Sequence, residues 1–118
     1  GLGEGHDDSE QNSAQTTSLL EQHPTLAGIY NIGGASDGVA RALKQAGRDQ
    51  KVVLVGHGLT PDTRALLIDG SMDAVITQSP QATLANAVRI FVNVREGRPP
   101  LAGVESTRSQ VIFRENLP

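Results

Sequence analysis

Three polar clusters stand where an apolar run gives way to a helix start: Asn31 to Asp37, His57 to Thr60, and Thr77 to Ser79. Between them they offer amides, a carboxylate, an imidazole and hydroxyls. Such groups read a hydroxyl-rich small molecule, because amides and carboxylates take paired hydrogen bonds from neighbouring hydroxyls. Helix N-termini would add backbone donors. In a parallel α/β sheet, ligands bind beyond the carboxyl ends of the strands. That rule selects Asn31, His57 and Gln78. Asp37 serves either as a contact or as a helix cap. A fourth segment, Gly5-His6-Asp7-Asp8, precedes a helical stretch and joins the set if a strand comes before it.

Catalytic chemistry has weaker footing. Gly34-Ala-Ser-Asp-Gly38 matches the letters of a nucleophile elbow, which needs an acid and then a His later in the chain. The one His after Ser36 is His57, a single strand away, so Ser36 reads better as a helix cap. Gly33 to Gly38 lacks the Gly-Lys-Ser/Thr ending of a phosphate loop. His6, Asp7, Asp8 and His57 do not have metal-ligand spacing. No carboxylate pair falls on the binding edge for acid–base work. Neither an enzyme, a metal site nor a cofactor is expected.

The elements that must position these residues alternate. Ser9 to Gln22 reads as a helix ended by Pro24, with Leu19 and Leu20 as its core residues. Leu26 to Asn31 is a strand, and Gly38 to Ala46 a helix closed by Gly47. Lys51 to Gly56 is a continuous apolar run that suits a strand buried on both faces. Thr60-Pro61-Asp62 supplies a cap, a first-turn Pro and an acid for a helix reaching Asp69-Gly70. Asp73 to Thr77 is a third strand. Ser79-Pro80 opens a helix running to about Gly97, with Leu84, Ala87, Val88, Phe91 and Val94 as its core stripe and Asn86, Arg89, Asn93 and Arg95 as its wet side. Gln110 to Arg114 is a last strand. The order implies an α/β fold, a Rossmann-like three-layer lobe with a parallel sheet flanked by helices.

Composition narrows the function. The chain has 118 residues, the length of one compact domain. Its net charge is −3 with no basic run, so DNA binding by this chain is not expected. Tyr30, Phe91 and Phe113 are the only aromatics. Tyr30 alone lies near the binding edge, with its ring expected to point into the sheet. The absence of cysteine excludes disulfides and fits a reducing cytoplasm. No stretch is long and apolar enough for a bilayer.

Ala27-Gly-Ile-Tyr-Asn-Ile-Gly-Gly34 with Gly38-Val-Ala-Arg-Ala-Leu43, Val53 to Asp62, and Asp73 to Pro80 resemble successive strand–loop–helix units of type I periplasmic binding proteins and LacI-family regulators. The closing Val111 to Pro118 resembles the C-terminus of a LacI-family subgroup. The resemblance implies the C-terminal lobe of a regulator's effector domain over residues 1–100, and a crossover with a terminal strand of the other lobe over 101–118. It implies a cytoplasmic transcription regulator sensing a sugar or related effector, touching DNA only through an absent head, and dimerising through Pro61 to Asp73. By position it adds Gly58 and Asp8 to the ligand contacts. Relatives often carry an acid after the Asn of the first loop and another in the second loop; here Ile32-Gly33-Gly34 and Gly58 stand there, with Asp37 a candidate replacement for the first. The alternative is a lobe of an exported sugar-binding protein of a transporter. On either reading the isolated chain binds sugars weakly, because the other lobe supplies enclosure.

Overall fold

The computed structural model describes residues 2–118, which divide into two units: 2–76 with 111–118, and 77–110. The boundary expected after Pro100 therefore falls inside the second unit.

The first unit opens with helix α1 (Ser9–Gln22), capped by Asp8, whose Oδ1 accepts from the Gln11 N–H at 2.8 Å. Strand β1 (Gly28–Asn31) leads to helix α2 (Ser36–Gln45), and strand β2 (Val53–His57) to helix α3 (Pro61–Asp69). Strand β3 (Ala74–Gln78) follows, and strand β4 (Ser109–Ile112) takes its place beside β3 in the sheet order β1-β2-β3-β4. β1, β2 and β3 are parallel, with Asn31 opposite Gly56 and His57 opposite Ile76. The consecutive parallel order of β1, β2 and β3 is what short right-handed crossovers produce, and it puts α2 and α3 on one face. Their core residues agree: Leu20 of α1, Val39 and Leu43 of α2 and Leu67 of α3 meet Leu54 and Val75 of the sheet in a single cluster.

β2 departs from the expectation of burial on both faces. Leu54 is fully buried, while Val53 is 52% exposed, so the strand alternates. The face bearing Leu54 is packed by helices, while Tyr30 and Val53 on the other face are about half exposed. A run of apolar letters records the chemistry of both faces, not which of them this chain covers. Ile112 of β4 closes the same core, so the last strand pairs within its own chain.

Two helix starts differ in mechanism. α3 has the cap its sequence promises: Thr60 Oγ1 accepts from Thr63 N–H, and Thr63 Oγ1 accepts from Thr60 N–H at 2.9 Å. α2 has no side-chain cap; Ser36 is its first residue and Ala35 precedes it in the left-handed region at φ 55°. Gly38 sits where α2 meets the start of α1, and a Cβ there would collide with the Ser9 carbonyl oxygen.

The second unit is built on helix α4 (Pro80–Arg95), capped by Ser79. Its polarity is inverted against expectation. Leu84, Val88, Phe91 and Val94 are exposed, and Asn93, expected on the wet side, is 1% exposed. Asn93 Nδ2 donates to the carbonyls of Pro100 and Ala102, and Asn86 Nδ2 to that of Glu105. The connector lies on the amide side of the helix because its own carbonyls need donors.

Candidate functional site

The carboxyl ends of β1 and β2 form one polar rim, and the turn before α1 joins it. Asp7 reaches across to the first loop, where its Oδ1 accepts from the Gly34 N–H at 2.6 Å. His6 and Asp7 both have positive φ, at 52° and 56°. Left-handed backbone costs about 1–2 kcal/mol per non-glycine residue, so tertiary contacts such as this bond must hold the turn. Asn12 reinforces it from α1: its Nδ2 donates to the carbonyls of Gly34 at 3.1 Å and Ala35 at 2.9 Å. A cleft of about 400 Å³ runs beside β1 and α1 and shares Asp7, Asn31 and Gly33 with the rim.

Each expected contact has a defined place. Asn31 is half-buried, and its Nδ2 donates to the Gly34 carbonyl at 3.1 Å and to Ser36 Oγ at 2.8 Å. The amide nitrogen thus shapes the loop. Oδ1 has no hydrogen bond among the described residues, so it is the group left to accept from a ligand. Asp37 receives the Ser9 hydroxyl on both carboxylate oxygens, at 2.8 and 2.9 Å, and ties α2 to α1. Asp8 caps α1. His57 is exposed, and its Nδ1 lies 2.7 Å from the Tyr30 hydroxyl. Gly58 takes φ 84°, where a side chain would be strained, and its N–H donates to the Ile76 carbonyl at 2.9 Å. The Gly58 carbonyl accepts from Thr63 Oγ1 at 2.8 Å, which fixes the second loop to α3. Gln78 is exposed at the end of β3, directly before the Ser79 cap, and belongs to the second unit.

Asn31, His57 and Gly58 thus come together at one edge, while Asp8 and Asp37 hold the helix starts behind it. Tyr30 corrects its expected placement: it is 48% exposed and faces outward to His57, because strand alternation sends Ile29 to the core instead. Ser9 and Asn12 have roles here that the sequence does not single out, while Asp7 lies in the segment expected to join the set. Asn12, Thr16 and Leu20 are the buried residues of α1. Their four-residue spacing was visible, but two of the three are polar and read as surface.

Among the described residues no group of three or more His, Cys, Asp or Glu could hold a metal ion. None of the described helices is long and apolar enough to cross a membrane. Ser36 Oγ is buried and accepts from Asn31, and it starts α2 rather than standing exposed on an elbow.

Comparisons with known proteins bear on the fold and the family. The chain is 30% identical over 81 residues to the D-allose-binding periplasmic protein of Escherichia coli strain K12; the match takes in 68% of this chain and 26% of that protein. It superposes on GanP, a glucose-galactose binding protein from Geobacillus stearothermophilus, with a TM-score of 0.84 and 27% identity, covering 98% of this chain and 41% of the other. An ABC transporter solute-binding protein from Agrobacterium vitis with bound D-fucose shares the fold at a TM-score of 0.78 and 24% identity, covering 98% of this chain and 40% of that one. The chain thus spans well under half the length of these relatives. The likeness carries the expected α/β three-layer sandwich, a parallel sheet flanked by helices.

These matches overturn the regulator reading. The LacI-family assignment, the cytoplasmic location, the absent DNA-binding head and the dimer through Pro61 to Asp73 all came from a likeness that two groups with one fold share. The E. coli relative is named as a periplasmic protein and the Agrobacterium vitis one as an ABC transporter solute-binding protein. The strand–loop–helix segments encode the fold and not the difference between the groups, and the terminal Val111 to Pro118 was too short to decide it. Residues 2–99 match the family described as periplasmic binding protein domain, and the chain belongs to that family.

Proposed function

We propose that this chain forms part of the sugar-binding lobe of a solute-binding protein that serves an ABC transporter. The observation that carries the reading is the rim itself. Asn31 Oδ1, the His57 ring and the Asp7 turn stand at the carboxyl ends of parallel strands, each braced from behind by a named bond. Bracing of this kind presents polar groups without a folding cost on binding. The relatives named for D-allose and for glucose and galactose support a monosaccharide as ligand. An extracytoplasmic location accompanies the role.

We also propose that the site binds and does not catalyse. Ser36 is buried and His57 is engaged by Tyr30, so neither is arranged as a nucleophile–base pair.

Calorimetric titration of the full-length protein with D-glucose, D-galactose and D-allose tests the proposal. Micromolar or tighter binding of at least one is expected. Absence of heat with all three, together with binding of a non-carbohydrate solute, would overturn it.

A further inference from the structure

Tyr30 and His57 lie on neighbouring strands, two residues out of register and so on one face of the sheet, with ring centroids 6.2 Å apart and planes at 50°. The Tyr30 hydroxyl and His57 Nδ1 are 2.7 Å apart, the length of a well-formed hydrogen bond. Two arrangements would satisfy that distance. In one, the phenol O–H donates to an unprotonated Nδ1. In the other, an Nδ1–H donates to the phenol oxygen. A phenol is a good donor, and its oxygen is a poor acceptor because one lone pair is drawn into the ring. A neutral imidazole nitrogen is a good acceptor. The first arrangement is therefore favoured, and it places the imidazole proton on Nε2.

We infer that Tyr30 is a positioning residue for sugar recognition: its hydroxyl holds His57 in the Nε2–H tautomer, so that His57 presents a directed donor to a ligand oxygen. The inference rests on the sugar-binding reading above. His57 is well suited to the task. Its backbone is fixed opposite Ile76, the following N–H is bonded to the Ile76 carbonyl, and its ring is exposed. Asn31, on the next strand end, complements it. With its amide nitrogen committed to Gly34 and Ser36, it offers Oδ1 as an acceptor. A donor and an acceptor at adjacent strand ends suit a ligand rich in hydroxyls, which both donate and accept.

The tautomer is read by nitrogen NMR of the 15N-labelled chain, with the His57 signals assigned by their loss in His57→Gln. Nδ1 should appear unprotonated and Nε2 protonated, and Tyr30→Phe should abolish that preference while leaving the remaining amide spectrum in place. In the full-length protein, Tyr30→Phe should weaken D-glucose, D-galactose or D-allose binding by about tenfold, the effect of one misdirected hydrogen bond. An Nδ1–H tautomer in the wild type, or a tautomer unaffected by Tyr30→Phe, would overturn the inference. So would unchanged sugar affinity in Tyr30→Phe. A wild-type protein that binds none of these sugars while showing the expected tautomer would overturn the ligand role through the reading it rests on; that failure is distinguished by the intact Tyr30–His57 bond.

Discussion

Asn12 is buried in α1 and donates to two carbonyls of the loop from which the rim is made. Replacing it with Ala leaves both carbonyls without those donors and frees the Asp7–Gly34 contact. Asn12→Ala should lower stability by about 2 kcal/mol in urea unfolding, and should weaken ligand binding although Asn12 is not itself at the strand end. Asp69 supplies a second test away from the rim. Its carboxyl is held below the usual carboxylate value of 3.8 by Ser71, whose N–H donates to it at 2.8 Å, and by the charge of Lys44, with burial acting the other way. A carboxylate with a depressed folded value stabilises the fold above its unfolded value, and that contribution is lost as pH falls through the folded value. Thermal unfolding should therefore show Asp69→Asn less stable than wild type at pH 7, with the gap closing below about pH 3.8. At this scale the sequence revealed the polar inventory of the rim but not its roles. Asn31 and His57 were legible because a polar residue ending an apolar run has few reasons to be there. Asp8 and Asp37 looked alike in type, yet their first partners are the Gln11 N–H and the Ser9 hydroxyl. Which oxygens are already used depends on contacts made in the folded chain, some between residues distant in sequence.

Helix and strand order follow from punctuation that the sequence displays openly. Thr60-Pro61 starts α3, Ser79-Pro80 starts α4, and Gly70 closes α3 in the left-handed region at φ 84°. What periodicity could not tell is which side of an element this chain covers. The stripe from Leu84 to Val94 has the spacing of a core face, yet it is exposed, and the amide side holds the connector. Energetic weight should follow burial. In this chain, Phe91→Lys should change stability by less than about 0.5 kcal/mol, as an exposed substitution does. Asn93→Ala should cost about 1–3 kcal/mol, because two connector carbonyls lose their donor. The two variants measured side by side by thermal unfolding test the inversion; a larger loss for Phe91→Lys would restore the expected core stripe. Gly38 offers a further check at the meeting of two helices. Gly38→Ala should separate α2 from the start of α1, because the added methyl has no room beside the Ser9 carbonyl, and a destabilisation above about 1 kcal/mol is expected.

The chain as a whole spans 41% of the GanP chain and 26% of the E. coli relative. A small-molecule site buries about 70–90% of its ligand, and an open rim of Asn31, His57 and Asp7 does not enclose a sugar. This chain alone should bind D-glucose, D-galactose and D-allose at least about a hundredfold more weakly than the full-length protein, a gap of about 2.7 kcal/mol. Calorimetry on both proteins checks it. We propose the edge where β1 and β2 end as the surface that meets the sugar. Amide shift mapping of the labelled full-length protein during titration with its best-bound sugar tests it directly. The amides of residues 31–37 and 57–60 should move most and saturate together. Saturating shifts confined to the cleft wall of α1, between Gln15 and Leu19, with the rim amides unmoved, would contradict the account.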